Sequence, residues 1–170
     1  LEGCHKFLKR LWALSFKISS LENDAFGASE KTLNDECKDL FIKINDDYEK
    51  RLNLNTVVSS CMEILNNINK RFDDKKVLCD KKDLYTCYDF LLLALSPIAP
   101  HISENLYKNI LNKDIQNASW PEESFFHKNE TEVKYLVQVN GKVRANILID
   151  SDKSEEDVKE IAKDLSLIHI

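Results

Sequence analysis

Between residues 3 and 19 the apolar positions Cys4, Phe7, Leu8, Leu11, Leu14 and Ile18 recur every three or four residues. Lys6, Lys9, Arg10 and Lys17 take most of the positions between them, so the spacing predicts an amphipathic helix. A polar connection with Gly27 follows, and Ser29 is placed to cap a second helix whose face reads Leu33, Cys37, Leu40, Phe41, Ile44 and Tyr48. Past Leu52-Asn53-Leu54-Asn55, a third helix carries Val57, Val58, Cys61, Ile64, Leu65, Ile68 and Phe72. The segment DDKKVLCDKKD reads as a charged loop, with Asp80 or Asp83 as the cap of a fourth helix. The body of that helix, LYTCYDFLLLALSPIAP, is apolar nearly all round, as expected of a helix surrounded by others. Pro97 and Pro100 break it, and Pro100 suits the first position of a further helix reaching Ile110. Four or five helices joined by short loops predict an antiparallel bundle.

After Trp120-Pro121 the pattern changes: EESFFHKNETE is polar, with two aromatics expected to be exposed, and beyond it the period becomes two. The expected organisation is mainly α: a helical bundle over residues 1–121, a linker over 122–131, and a small α+β unit over 132–170. In VQVNGKVRANILI, Asn140-Gly141 invites a two-residue turn. That turn pairs Val139 with Lys142 and sets Val137 on the face of Arg144, mixing apolar and charged sides. A three-residue loop, Val139-Asn140-Gly141, with Gly141 left-handed in a bulge, cures the mismatch. It gathers Val133, Tyr135, Val137, Val143, Ala145, Ile147 and Ile149 on one side, opposite Lys134, Gln138, Lys142, Arg144 and Asn146, with Leu136 and Leu148 as exceptions. The bulged register is the one expected. Ser154, with Asp157 three residues on, marks the start of a helix with the stripe Val158, Ile161, Ala162 and Leu165. A hairpin and one helix are too little to be stable alone, so this unit is expected to lean on the bundle or on strands beyond Ile170.

Composition narrows the classes. Of 170 residues, 43% are hydrophobic and 31% charged, and only 3 Gly and 3 Pro occur, which fits long helices around a packed core. No run of about 18 apolar residues exists to span a bilayer as a helix. The 5 cysteines are scattered without a CxxC pair, which argues against a disulfide framework or a structural zinc site. Cys4, Cys37, Cys61 and Cys87 fall on apolar stripes, where a reduced thiol acts as a small hydrophobe; the expected compartment is the cytoplasm. The opening LEGCHKFLKR lacks a starting Met and is already in helical rhythm, so a piece of a longer protein is expected.

Charge adds the candidate site. The formal net charge is -5, yet residues 133–149 hold Lys134, Lys142 and Arg144 and no acid, a net of +3. Residues 1–20 set Lys6, Lys9, Arg10 and Lys17 against Glu2, again +3, whereas residues 150–165 count three bases and seven acids, -4. Local positive charge matters more than the total when the partner is a polyanion. Lys142 and Arg144, two positions apart, are the first candidates for phosphate contact, followed by Lys134, Lys9, Arg10 and Lys6. The competing reading of the same cations is a solvated strand edge and a solvated helix face. Trp12, beside the apolar stripe, is expected to pack at the bundle's edge, with stacking on a base as the alternative. His5, His101, His127 and His169 read as structural, and pairs such as Asp46-Asp47, Asp73-Asp74 and Glu155-Glu156 read as loop or helix-start charges. No Gly-rich phosphate loop, no Ser/His/Asp arrangement and no metal-ligand spacing is present, so neither a catalytic residue nor a metal ligand is expected in these 170 residues.

Five segments, EGCHKFLKRLW, LNTVVSSCMEILN, LALSPIAPHISENLY, ASWP and VQVNGKVRANI, stand in the order found in the C-terminal part of bacterial-type leucyl-tRNA synthetases, which the chain resembles over residues 2–165. The first three are similar to the helical anticodon-binding domain shared by the class I enzymes for leucine, valine, isoleucine and methionine. The hairpin after SWP is what points to leucine. The resemblance implies a class I ligase that joins leucine to tRNA(Leu) with ATP and Mg, through a leucyl-adenylate. It implies that the catalytic and editing sites lie elsewhere: PHISE is not a HIGH box, and no KMSKS-like stretch occurs. The implied partners are tRNA(Leu) and the catalytic domain of the same chain, with no membrane and no DNA. The helical domain would support the tRNA body, and the small unit would reach the elbow and long variable arm. The family continues past the last helix with further strands, whereas this sequence stops at SLIHI. The alternatives are the corresponding region of a valyl, isoleucyl or methionyl enzyme, and a non-enzymatic helical interaction module whose basic patches only solubilise.

Overall fold

The computed structural model describes residues 2–22, 25–27, 31–73, 76–127, 132–139 and 142–150, the last two stretches by their backbone course alone. The chain divides into two compact units, Leu1–His127 and Lys128–Ile170. The first holds helices α1 (Glu2–Ser19), α2 (Leu33–Asp46), α3 (Leu54–Lys70), α4 (Lys81–Leu95), α5 (Pro100–Leu111) and the short α6 (Glu123–Phe126). Strands β1 (Phe72–Asp73) and β2 (Lys76–Val77) form a small antiparallel pair between α3 and α4. The second unit contributes the hairpin β3 (Glu132–Val139) and β4 (Lys142–Asp150). The fold is a mainly α helical bundle with a hairpin unit after it.

Each helix forms where the apolar repeat runs, and its stripe is what the bundle buries. Phe7, Leu11, Leu14 and Ile18 of α1, Leu33, Cys37, Phe41 and Ile44 of α2, and Val57, Cys61, Ile64, Leu65 and Ile68 of α3 are all buried. In α4, Leu84, Cys87, Tyr88 and every residue from 90 to 95 are buried, which explains its lack of a polar face. Contacts fix the directions. Asn67 of α3 donates to the Cys37 thiol of α2, while Thr56 at the other end donates to Asp47, so α2 and α3 run antiparallel. Asn34 reaches Asp83, Cys87 donates to Asn34, Phe41 meets Phe90, and Tyr48 donates to the Ala94 carbonyl, so α2 and α4 run parallel.

Helix ends depart from expectation in three places. Thr32, not Ser29, caps α2: the Asp35 N–H donates to Thr32 Oγ1 at 3.0 Å, and the Thr32 hydroxyl donates back to the Asp35 carboxylate at 2.6 Å. This reciprocal pair satisfies one of the open N–H groups of the first turn; Ser29 lies outside the described residues. Helix α3 ends at Lys70, and Phe72 belongs to β1, pairing with Val77 where a charged loop was expected. Arg71 stands at that break, as the C-cap of α3. Nearly buried, it ion-pairs with Glu36 at 2.9 Å and donates to the carbonyls of Lys31 and Leu78, pinning the α3 exit to α2 and to the chain after β2. Asp80 sits at the cap position of α4 without a side-chain capping bond, and Asp83 lies in its first turn. Pro100 is the first residue of α5, as its fixed φ and missing N–H predict.

One turn of π-helix (Asp47–Arg51) ends α2, and Leu52 closes it at φ 49°, a left-handed conformation that costs a branched side chain. Asp47 is not a solvated loop carboxylate but is buried, accepting from Thr56 and lying 4.0 Å from Arg51. After α5 the chain returns across the bundle. Trp120 Nε1 donates to Asn45 Oδ1 at 2.7 Å. Phe125 and Phe126, expected to be exposed, are half-buried. Their rings cluster with Phe90, Phe41 and Trp120 at centroid distances of 5.2–6.3 Å. Lys38 holds this strap, residues 119–127, donating to the Phe125 carbonyl with its ammonium 5.1 Å from that ring. The sequence EESFF conceals this because two aromatics among acids carry no period.

In the second unit the hairpin register is Val133↔Ile149, Tyr135↔Ile147 and Val137↔Ala145, then Gln138↔Val143 and Val139↔Lys142. The step between Val137 and Gln138 makes Arg144 the extra residue of a bulge on β4. The expected three-residue loop is therefore corrected: Val139 pairs with Lys142, leaving only Asn140 and Gly141 between the strands. The phase problem was real, and one inserted residue cures it; the chain inserts it at Arg144 instead of in the loop. Val133, Tyr135, Val137, Ala145, Ile147 and Ile149 stay in register with one another, but Val143 drops out to pair with Gln138. Asn140 and Gly141 themselves, the Ser154 helix with Val158, Ile161, Ala162 and Leu165, His169 and the SLIHI end lie outside the described residues.

Candidate nucleic-acid interface

The first patch of positive charge lies on α1. Its buried stripe leaves the rest of the helix surface to Glu2, His5, Lys6, Lys9, Arg10, Trp12, Phe16 and Lys17, all exposed. Glu2 in the first turn and Lys17 in the last complement the helix dipole. The candidate cations differ in what they already hold. Lys6 pairs with Glu2 at 2.7 Å across one turn, and both are solvent-exposed, so that pair is weak. Arg10 donates to Asn66 Oδ1 of α3 at 2.6 Å, which fixes its fork at the α1–α3 seam. Lys9 makes no ion pair or hydrogen bond among the described residues. Lys17 lies 5.6 Å from the Phe72 ring.

Trp12, expected at the bundle's edge, is 42% exposed and meets Phe16, itself 61% exposed, edge-to-face at 6.1 Å. Cys4, expected on the buried stripe, is likewise exposed; it lies in the first turn of α1, before Phe7, where the buried stripe begins.

The second patch is the hairpin. By register Lys134 stands opposite Leu148, Lys142 opposite Val139, and Arg144 at the bulge. The bulge interrupts the simple alternation that set Lys142 and Arg144 side by side. Bulges re-aim residues and are frequent next to functional positions.

Elsewhere the titratable groups serve the core. Burial pushes the Cys61 thiol up to about 12 and the Cys79 thiol up to about 11. Cys87 is raised further by its hydrogen bond to Cys37 and by burial, and that same bond lowers Cys37. These thiols sit at or below 2% exposure, sealed from any reactant. Tyr48 is pushed up to about 12, again by burial. Among the described residues no group of three or more His, Cys, Asp or Glu side chains could hold a metal ion. His5, His101 and His127 are exposed, and no helix is long and apolar enough to cross a membrane among the described residues.

The bundle buries four of its five thiols and carries exposed cations on its first helix, and the hairpin strands hold Lys134, Lys142 and Arg144. The chain belongs to a known family: the model for the anticodon-binding domain of tRNA ligase matches residues 30–160. It is 32% identical to leucine–tRNA ligase of Aeromonas salmonicida and 36% identical to that of Marinobacter nauticus, each alignment taking in 95% of this chain and 19% of the relative. Identity to leucine–tRNA ligase of Petrotoga mobilis is 38%, over 95% of this chain and 21% of that protein. The fold is also that of part of the LeuRS in a LeuRS–tRNA–LeuAMS ternary complex from Agrobacterium radiobacter K84, with TM-score 0.64, 22% identity, and 94% of this chain matched to 22% of that one. The chain thus spans about a fifth of the length of these relatives.

Proposed function

We propose that this chain is the tRNA-docking segment of a leucyl-tRNA synthetase, an enzyme that ligates leucine to tRNA(Leu). The observation that carries the reading is the alignment of 95% of the chain with leucine–tRNA ligases at 31–38% identity. The work of the segment is positional. Cations on α1 and on the hairpin hold the RNA backbone so that its 3′ end reaches a catalytic site in the remainder of the longer protein. Phosphate contacts of this kind supply affinity and orientation without reading sequence. Lys142, Arg144, Lys134, Lys9, Arg10 and Lys6 are the residues proposed to make them. ATP with Mg would be consumed in the catalytic part, not here, and the setting would be the cytoplasm.

The test is filter binding of the 170-residue chain to tRNA(Leu), with tRNA(Val), tRNA(Ile) and tRNA(Met) as competitors. The reading expects tRNA(Leu) to be retained against all three. Equal competition by any of them would move the assignment to that enzyme, and no retention of any tRNA would reject docking altogether.

A further inference from the structure

Along the seam between α2 and α4, side chains meet in a ladder. Asn34 donates to Asp83 at 2.9 Å, Phe41 meets Phe90 at 4.5 Å, and Tyr48 donates to the Ala94 carbonyl. Cys37 stands one turn after Asn34 and one before Phe41; Cys87 stands one turn after Asp83 and one before Phe90. The parallel register therefore sets the two thiols opposite each other, both at 0% exposure and hydrogen-bonded. A cysteine that acts only as a small hydrophobe needs no polar partner. This pair has two amides: Cys87 donates to Asn34 Oδ1 at 3.3 Å, and Asn67 Nδ2 donates to Cys37 Sγ at 3.9 Å. Of the four buried thiols only Cys37 is lowered, chiefly by its bond with Cys87, while Cys61, Cys79 and Cys87 are raised. Thiolate character thus gathers on one sulfur with a second thiol beside it, as an oxidisable pair requires.

We propose that Cys37 and Cys87 form a redox latch on the α2–α4 seam, closing to a disulfide when the protein meets a peroxide and reopening to a thiol reductant. The closed bundle seals both sulfurs, so hydrogen peroxide reaches them when the seam opens locally. The Cys37 thiolate then attacks the O–O bond, taking one oxygen as sulfenic acid and releasing the other as hydroxide, which is protonated to water. As the seam closes, Cys87 attacks the Cys37 sulfur; the S–O bond breaks, the S–S bond forms, and a second water leaves with the Cys87 proton. The two sulfurs give up two electrons and the peroxide takes them. A dithiol such as dithiothreitol returns both electrons and both protons, leaving as its own cyclic disulfide. The closed latch spans residues 37 to 87 and restricts the unfolded chain over α3 and the β1–β2 pair. The inference is independent of tRNA docking.

The test uses the 170-residue chain with Cys4→Ser, which removes the exposed thiol and with it bridging between molecules. The chain is treated with hydrogen peroxide in native buffer, alkylated in denaturant, and digested with trypsin, which leaves each remaining cysteine on its own peptide. The expected dominant product is peptide 32–38 linked to peptide 83–108, two hydrogens lighter than their sum, absent without peroxide and lost after dithiothreitol. The oxidised chain should melt about 10 °C higher than the reduced one. Peroxide treatment in denaturing urea should instead scatter the links among Cys37, Cys61, Cys79 and Cys87. If native buffer gives that same scatter, links Cys79 to Cys87, or leaves Cys37 and Cys87 unlinked, the latch is refuted. A Cys37–Cys87 link that forms without raising Tm refutes it equally. The mapping needs no substitution in the core, so a failure to fold cannot mimic either result.

Discussion

Phe90→Ala tests how the bundle and the strap over residues 119–127 are joined. Phe90 is 1% exposed, and its ring lies 4.5 Å from Phe41, 5.2 Å from Trp120, 5.7 Å from Phe125 and 6.1 Å from Phe126. Truncation removes roughly 150 Å² of buried apolar area, about 4 kcal/mol at about 25 cal/mol per Å², which sits within the range of about 3–5 kcal/mol seen for Phe→Ala in cores. For a domain of this size that is a drop of roughly 15 °C in Tm. Urea unfolding followed by far-UV circular dichroism reads the whole bundle, and Trp120 emission, isolated in a Trp12→Phe background, reads the strap. Both should report the loss together, because Phe90 is shared. Phe16→Ala, removing a ring of the same size that is 61% exposed, should cost less than about 0.5 kcal/mol. If the two variants lose equal stability, or if Phe90→Ala costs under about 1 kcal/mol, the aromatic cluster is not the joint described.

Other substitutions probe the helix ends and the core. Leu52→Gly should stabilise by about 1 kcal/mol, since Leu52 holds φ 49° with a side chain 77% exposed and loses no packing; a destabilised variant in urea unfolding would contradict this. Thr32→Ala should cost about 1 kcal/mol by removing the α2 cap, and an unchanged Tm would show that the cap contributes nothing. Alkaline pH should unfold the bundle through its thiols. Cys61 and Cys79 have folded values raised to about 12 and about 11, against about 8.5 in an unfolded chain. Their contribution is complete below about pH 8 and is lost as pH rises, at about 1.4 kcal/mol per pH unit for each thiol up to its folded value. Urea unfolding at pH 8, 9 and 10 should show this slope, and Cys61→Ala should remove about half of the part due to this pair; flat stability would rule the effect out.

The bundle was legible because α1 to α5 bury a single stripe each, and α4 announces full burial by having no polar face. What escaped was set by contacts between segments distant in sequence. The Arg71–Glu36 pair ties the end of α3 to α2, yet neither charge has a periodic neighbour to reveal it. Phe125 and Phe126 looked exposed because their partners, Phe41 and Phe90, lie 35 or more residues away. In the hairpin, the faces of Val133–Val137 and Ala145–Ile149 could be deduced, since alternation allows only an odd insertion. Whether that residue sits in the loop or at Arg144 is decided by backbone geometry that residue types do not encode. For the candidate site, charge counting found the cationic helix and hairpin, but Trp12 directly follows Leu11, and that adjacency concealed how far a single helical step turns its ring from the buried stripe.

The central claim, that local positive charge in an acidic chain docks tRNA, is tested most directly by the salt dependence of tRNA(Leu) binding in the 170-residue chain. Log Kd is measured against log salt from about 50 to 200 mM for wild type and for Lys142→Ala with Arg144→Ala. Each phosphate contact contributes about 0.7–0.9 to the slope, so the double variant should bind more weakly, with a slope smaller by about 1.5. An unchanged slope and affinity would contradict the hairpin as a phosphate-contacting surface.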